Sequence, residues 1–194
     1  VNVSAAQFLH PDFANQVIAL LRENGVAPDR LKLELTESLL VNDAESVISV
    51  MTTLRSHGVR FSLDDFGTGY SSLQYLKRLP LDQLKVDRSF VHDIEHDPSD
   101  LSIVRTIIAL ADNLDLAVIA EGVETLAQQC MLEELGCNAY QGYGFSPPLP
   151  LNDFESYLTD FPENEAGLED PHKSAGNSWT SARQMPQASI SMKT

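Results

Sequence analysis

The sequence predicts an α/β protein in which parallel strands form a (β/α) barrel, and two features of the chain lead to this fold class. Six short apolar stretches alternate with segments of helical periodicity, a pattern typical of βαβ units and a parallel sheet. Near the C-terminal end of each apolar stretch, polar residues occupy the same phase of the strand alternation. A barrel collects such residues at one mouth, where barrel active sites lie.

The strands and helices follow one another along the chain. A helix is predicted where apolar residues recur with helical spacing, and Gly25, Gly58 and Gly136 each follow such a segment, as expected at helix C-termini. The predicted strands are 1–4, 31–36, 60–65, 82–87, 117–123 and 139–145, and the predicted helices are 12–24, 43–57, 100–114 and 125–135.

The composition of the chain excludes several classes of protein. With 194 residues, 43% of them apolar and 21% charged, the chain is long enough for one globular domain. No apolar run approaches the ~20 residues of a membrane helix. The net charge of −15 argues against DNA binding, which needs basic patches. Cys130 and Cys137 lack metal-site spacing and are predicted to be free thiols of a reducing cytosol.

The two ends of the chain predict its domain organisation. The first residue is Val1 and the opening "VNVSA" is strand-like, so we expect a piece of a longer protein. Residues 162–194 are polar, rich in Ser and Pro and without periodicity, which predicts a disordered tail or linker. The expected division is a domain over 1–161 and a tail over 162–194.

The shared phase of the polar residues favours a barrel over an open sheet. Successive side chains of a strand point to opposite faces. An open doubly wound sheet is covered by helices on both faces and has no consistently polar face. Any single strand end could simply be solvated, but six strands in one phase favour a common mouth. The polar set comprises Asn2, Ser4, Glu34, Thr36, Ser62, Asp64, Lys85, Asp87, Glu121 and Gln141.

Two neighbouring aspartates, Asp64 and Asp65, end the third predicted strand immediately before a glycine-rich turn. Adjacent carboxylates repel each other unless a proton, a cation or solvent relieves the charge. Hard cations such as Mg²⁺ or Mn²⁺ take oxygen ligands of this kind. With Asn2, Glu34 and Glu121 at the same mouth, the sequence predicts a site for two such ions, an arrangement suited to in-line attack on a phosphodiester.

Two short motifs in this stretch allow other interpretations. "DFG" at 65–67 also occurs in protein kinases, but no "HRD" catalytic loop precedes it. "GTGYSS" resembles a dinucleotide-binding fingerprint, yet Ser72 stands at the third glycine position and the carboxylate pair would repel pyrophosphate. We reject both interpretations and expect Gly67 and Gly69 to form a tight turn in a loop at the mouth.

Six motifs of the chain together resemble those of a known family. They are "NVSAAQF", "LELTES", "DDFGTGYSSL", "LKVDRSFV", "AEGVET" and "QGYGFSPPL". In this order and spacing, residues 1–160 resemble the EAL domain, a bacterial cyclic-di-GMP (c-di-GMP) phosphodiesterase. The resemblance implies a modified TIM barrel with one antiparallel strand, two Mg²⁺ or Mn²⁺ ions, and hydrolysis of c-di-GMP to linear pGpG.

The resemblance also implies a set of metal ligands. Asn2, Glu34 and Asp64 match ligands of the family, with Asp64 bridging both ions. Asp65 matches the residue that holds the second ion.

Four further residues match positions with roles in substrate binding or catalysis. Lys85 matches a catalytic lysine that contacts the attacking water and the substrate phosphate, and Glu121 matches a catalytic carboxylate beside the second ion. Gln141 matches a glutamine of the substrate site. Glu37, grouped here with the catalytic residues, matches a glutamate that steadies the "DFGTGYSS" loop, which in the family couples dimerisation to metal binding.

The chain departs from the family pattern in two places. The Glu-Ala-Leu motif that names the family, and that supplies another metal ligand, is expected upstream of Val1 together with two strands. The six predicted strands therefore correspond to six of the eight of a complete barrel, and we expect the isolated chain to be inactive. Pro147 stands where the family commonly has Lys or Arg before the proline, and the effect of this change stays open.

The resemblance leaves two functions to be distinguished, a phosphodiesterase and a receptor that binds c-di-GMP without cleaving it. Receptors of the family usually lose metal ligands or the loop motif, and both are present here apart from the upstream motif, which favours the enzyme. A scaffold that only dimerises would not need so many in-phase ionisable residues. The implied partners are c-di-GMP, a second copy in a homodimer, and upstream sensory or GGDEF-type domains, with no DNA. The implied location is cytoplasmic, and anchoring of the parent protein in the inner membrane stays open.

Overall fold

The computed structural model describes residues 1–40, 43–69 and 73–160. Within these ranges the chain forms one sheet of five parallel strands in the order β1-β2-β3-β4-β5, so that each strand pairs with the next one along the chain. A doubly wound sheet reverses its strand order at a switch point, whereas this order is continuous. The strands are β1 (Lys32–Thr36), β2 (Arg60–Phe66), β3 (Gln83–Val86), β4 (Ala117–Glu121) and β5 (Tyr140–Gln141).

Helices connect the strands, which confirms the predicted parallel α/β class. The four predicted helices correspond to α2, α3, α6 and α7 below, whereas α1, α4 and α5 have only four or five residues each and are too short to show a helical period. The α-helices in the described ranges are α1 (Ala5–Phe8), α2 (Phe13–Glu23), α3 (Ala44–Ser56), α4 (Leu73–Leu76), α5 (Arg88–His92), α6 (Pro98–Asn113), α7 (Leu126–Glu134) and α8 (Leu151–Asp160), and short 3₁₀ helices lie at Pro28–Arg30 and Glu37–Leu40.

The prediction of six strands is wrong for the described residues, because the opening segment forms no strand. Residues 1–4 contribute an isolated parallel bridge between Asn2 and Glu34, in which the Val3 N–H donates to the Glu34 carbonyl (3.0 Å). The extended backbone ends at once because Ser4 is the N-cap of α1. Its hydroxyl oxygen accepts a hydrogen bond from the Gln7 N–H at 3.3 Å, and an N-cap of this type commits the next residues to the helix.

Other predictions fall outside the part of the chain that the structure describes. These are the tail over 162–194 and the end of the "DDFGTGYSS" motif, residues 70–72. Among the described helices, none has both the length and the apolar character needed to cross a membrane.

The two faces of the sheet differ in chemistry as the alternation predicts. The registers pair Glu34 with Ser62, Ser62 with Gln83, and Glu121 with Gln141, which places polar side chains on one face. The opposite face is apolar and packs against the helices, mainly α3 and α6. The buried core includes Leu33, Leu35, Phe61, Leu63, Leu84 and Val86 of the strands and Val47, Met51, Leu54, Val104, Ile107 and Ala111 of the helices.

A β-bulge interrupts the alternation near the end of β2. The register between β2 and β3 shifts between Leu63 and Phe66, so that two residues, Asp64 and Asp65, stand opposite one residue of β3, Lys85. Asp65 has a φ of +55°, in the left-handed region that non-glycine residues seldom occupy. Bulges re-aim side chains and are common next to active sites. This one brings the adjacent carboxylates of Asp64 and Asp65 together near Glu121.

Gly142 lets the chain after β5 pass close to the segment that follows β4. A Cβ atom at Gly142 would lie 2.1 Å from the Val123 carbonyl oxygen and 2.3 Å from the Val123 nitrogen. Hydrogen bonds fix this approach, because the Val123 N–H donates to the Gln141 carbonyl (3.1 Å) and the Gly144 N–H donates to the Val123 carbonyl (3.0 Å). The strand predicted over 139–145 therefore shortens to β5, because the backbone turns here to meet Val123.

Gly142→Ala is expected to lower the free energy of unfolding by about 3 kcal/mol, because the new methyl group would collide with backbone that no rotamer change can move. Gly25→Ala is the matched control. Gly25 has a φ of +63° and open space around its Cβ position, so that the change should cost only about 1 kcal/mol of backbone strain. Denaturant unfolding followed by circular dichroism measures both values. Equal losses for the two variants would contradict the packing argument.

Candidate functional site

The ammonium group of Lys85 joins the ends of four neighbouring strands. Its Nζ lies 3.0 Å from Glu34 Oε2, 3.0 Å from Asp64 Oδ1 and 2.5 Å from Glu121 Oε1. The Lys85 side chain is only 4% exposed, although it carries a full charge. The structure therefore brings four of the residues selected from the sequence into one contact cluster, with one residue from each of β1, β2, β3 and β4.

The charges of this cluster depend on one another. Burial lowers the pKa of Lys85, but the hydrogen bond and charge of Glu121, together with the charges of Glu34 and Asp64, outweigh burial and raise the pKa well above the ordinary lysine value. Burial raises the pKa of Glu121, and the contact with Lys85 only partly opposes this effect. The group on Lys85 is thus an ammonium ion at neutral pH, held by the carboxylates around it.

Asp65 adds a fourth carboxylate from the bulge. Its N–H donates to Asp64 Oδ1 at 3.1 Å, and the Thr68 hydroxyl donates to its carbonyl at 2.8 Å, so that the turn is fixed on both sides. Burial raises the pKa of the Asp65 carboxyl, and the neighbouring charges of Asp64 and Asp87 raise it further. The bulge therefore holds a carboxyl group in surroundings that are unfavourable for its negative charge.

The donor set suits a hard divalent cation. Asp64, Asp65 and Glu121 each present a carboxylate oxygen, and these oxygens lie within 4.8 Å of one another. Glu34 contacts the same ammonium group as Asp64 and Glu121. Four carboxylates and only one nearby ammonium group leave excess negative charge at these strand ends, and an oxygen-preferring ion such as Mg²⁺ or Mn²⁺ would offset it. The residues present thus fit the metal chemistry predicted from the sequence.

Asn2 and Gln141 lie at the two sides of this cluster. The backbone bridge places Asn2 beside Glu34, while the register of β4 and β5 places Gln141 directly beside Glu121. Within the described ranges, no side-chain hydrogen bond or ion pair joins Asn2 or Gln141 to the four carboxylates. Both are neighbours of the cluster through backbone pairing.

Glu37 follows β1 in the chain and contacts the loop that follows β2. The residue is 3% exposed, and its Oε2 accepts hydrogen bonds from the N–H groups of Gly67 (3.1 Å) and Gly69 (3.2 Å). A Cβ atom on Gly69 would lie 3.0 Å from the Glu37 carboxylate, so only glycine fits without displacement. The carboxylate therefore holds the loop through its backbone, next to the bulge that carries Asp65.

A second polar layer lies on the same face. The interpretation of the sequence included its Ser62 in the polar set but missed Lys32 and Gln83. Gln83 Oε1 accepts hydrogen bonds from Lys32 Nζ (3.0 Å) and from Ser62 Oγ (3.2 Å). The available signal was spacing. Lys32 stands two positions before Glu34, Ser62 two before Asp64, and Gln83 two before Lys85. Residues two positions apart on a strand face the same way.

Comparison with known proteins identifies the family. A family model described as the EAL domain matches residues 1–148. The bifunctional diguanylate cyclase/c-di-GMP phosphodiesterase MucR of Pseudomonas aeruginosa is 47% identical over 150 residues, which are 77% of this chain and 22% of MucR. The c-di-GMP phosphodiesterase NbdA of the same species is 48% identical over 158 residues, 81% of this chain and 20% of NbdA. The chain thus spans about a fifth of the length of these relatives.

Solved structures give the same result. The MucR phosphodiesterase in complex with c-di-GMP superposes with a TM-score of 0.77 at 46% identity, covering 79% of this chain and 62% of that chain. BlrP1 of Klebsiella pneumoniae, in complex with manganese and c-di-GMP, superposes with a TM-score of 0.69 at 34% identity, covering 75% of this chain and 37% of that chain. With a family model that matches more than half of its residues, the chain belongs to the EAL domain family.

Proposed function

We propose that this chain is the EAL-domain part of a metal-dependent phosphodiesterase that hydrolyses c-di-GMP to linear pGpG in bacterial second-messenger signalling. The observation that carries the proposal is the convergence of Glu34, Asp64 and Glu121 on the Lys85 ammonium at the C-terminal ends of parallel strands. The similarity to the phosphodiesterases MucR and NbdA supports the choice of substrate.

The proposed cofactor is a pair of Mg²⁺ or Mn²⁺ ions. Glu34, Asp64 and Asp65 would hold them, with Glu121 beside the second ion and Asn2 as a further ligand. When bound, such ions offset the charge on the phosphate oxygens and make water a better nucleophile. The complexes of BlrP1 with c-di-GMP and manganese or calcium support this choice of ions.

Two residues of the chain are proposed to act on the reacting groups. Lys85 is a buried donor whose ammonium group would stabilise the negative charge that develops on the phosphate in the transition state. Glu121 would accept a proton from the attacking water, and burial, which raises the pKa of this carboxyl, would make it a stronger base. Gln141, beside Glu121 in the sheet, would donate an amide hydrogen bond to the substrate.

Glu37 is proposed to act at a distance, through the loop. Its two hydrogen bonds to Gly67 and Gly69 fix the segment that begins with the Asp65 bulge. By holding this backbone, Glu37 would keep the Asp65 carboxylate in position for a metal ion.

The proposal extends to the larger fold and its context. The continuous order of β1 to β5 fits a TIM-like barrel of EAL type of which these strands form part, with the site at its C-terminal mouth. Residues 1–161 would then belong to the phosphodiesterase domain and 162–194 to a tail or linker. The homodimer, and upstream sensory or GGDEF-type domains in a longer protein, belong to the same proposal.

Asp64→Asn is expected to reduce turnover of c-di-GMP in the longer protein by more than about 10²-fold, because it removes charge and an oxygen ligand from the centre of the carboxylate cluster. Production of pGpG, measured by chromatography with and without Mg²⁺, tests this expectation. Asp112→Asn, an exposed position on α6, is the control and should retain the parental rate. An active Asp64→Asn enzyme would contradict a metal site at Asp64.

Lys85→Ala is expected to reduce kcat by about 10²–10³-fold while much of the metal-dependent binding of c-di-GMP persists, because the metal ligands remain and one preorganised donor is lost. Calorimetric titration of the protein with c-di-GMP in the presence of Ca²⁺ measures binding, and a turnover assay with Mg²⁺ on the same preparation measures kcat.

The exposed lysine Lys77 supplies the control variant Lys77→Ala, which should behave as the parent does in both assays. A Lys85→Ala protein that hydrolyses at the parental rate would remove Lys85 from the mechanism. A wild-type protein that binds c-di-GMP but never produces pGpG would favour the receptor function instead.

Residues 1–194 by themselves are expected to turn over c-di-GMP much more slowly than the longer protein, because the described strands form an open sheet that encloses only part of a barrel mouth. Parallel assays of both proteins at equal concentration measure the difference. Equal rates would show that the five-stranded sheet is sufficient for the chemistry.

A further inference from the structure

The polar layer of Lys32, Ser62 and Gln83 lies directly beneath the Lys85 cluster on the same face of the sheet. Gln83 is 5% exposed and Ser62 is fully buried. The single carbonyl oxygen of the Gln83 amide accepts hydrogen bonds from both the Lys32 ammonium and the Ser62 hydroxyl. A buried amide that holds a cation in this way has a defined partner, so that its replacement is expected to redistribute charge as well as to change packing.

Lys32 is close enough to the Lys85 cluster for its ammonium group to compete for the Glu34 carboxylate. Lys32 and Glu34 are two residues apart on the same face of β1, a distance of about 7 Å along an extended strand that a lysine side chain can span. Burial lowers the pKa of Lys32, Asp82 raises it and Arg60 lowers it, while Glu34 and Lys85 have smaller effects of opposite sign. The Gln83 contact is therefore one of the forces that decide where this ammonium group lies.

We propose that Gln83 is a positioning residue that retains the Lys32 ammonium in the polar layer beneath the Lys85 cluster. It thereby leaves the Glu34 carboxylate free to contact Lys85 and a bound cation. The inference rests on the proposed metal site. Without the Gln83 acceptor, Lys32 would turn toward Glu34 and bring a second positive charge to the place where a divalent cation binds. Repulsion between charges at such separations is large enough to change cation affinity by at least about tenfold.

The test is the affinity of the longer protein for Mn²⁺ alone, measured by calorimetry and by the electron paramagnetic resonance signal of free Mn²⁺. Gln83→Leu should weaken Mn²⁺ binding by about tenfold or more. The double variant Gln83→Leu with Lys32→Met should restore the wild-type affinity, because the competing ammonium is gone. Lys32→Met by itself is the control and should bind Mn²⁺ at least as tightly as the wild type does.

The rescue separates positioning from packing. Unchanged affinity in Gln83→Leu, or a loss that Lys32→Met does not restore, would overturn the inference. If Gln83→Leu does not fold, Gln83→Asn, whose shorter amide cannot keep the same contact, takes its place with the same expected loss and rescue. A wild-type protein that binds no Mn²⁺ would instead overturn the proposed metal site, and this inference with it.

Discussion

The buried ammonium group of Lys85 is the interaction on which the site depends. Its contacts reach carboxylates on β1, β2 and β4, so that one cation neutralises part of the charge gathered at four strand ends. Those carboxylates would otherwise repel one another in surroundings that raise the cost of each negative charge. The same contacts hold the C-terminal ends of these strands together, so that the Lys85 ammonium stabilises both the site and the sheet around it.

The bulge in β2 adds to this arrangement what a regular strand could not. In a regular strand, Asp64 and Asp65 would point to opposite faces. The shifted register with β3 and the left-handed backbone of Asp65 instead bring an oxygen of each carboxylate within 4.8 Å of Glu121. Strain of this kind persists where the surroundings hold it. Here the hydrogen bonds from Gly67 and Gly69 to Glu37 hold the loop that follows.

The polar face of the sheet has two layers with different tasks. The upper layer exposes carboxylates that are suited to metal ions, while the lower layer satisfies a buried amide, a hydroxyl and an ammonium group with one another. Each lower residue precedes an upper one by two positions on β1, β2 or β3. The strand period thus generates both layers. In our proposal, hydrogen bonding within the lower layer keeps the Lys32 ammonium away from the Glu34 carboxylate of the upper layer.

The sequence by itself determined the parallel α/β sheet, the polar face and the family, because strand period, helical period and motif order are local properties of the chain. It also selected Glu34, Asp64, Lys85 and Glu121, since residues in one phase at the ends of parallel strands must converge. Only the tertiary structure decided that residues 1–4 form a bridge instead of a strand, and that a register shift brings Asp65 close to Asp64 and Glu121. Those features depend on hydrogen bonds and close contacts between segments far apart in sequence, which no local period encodes.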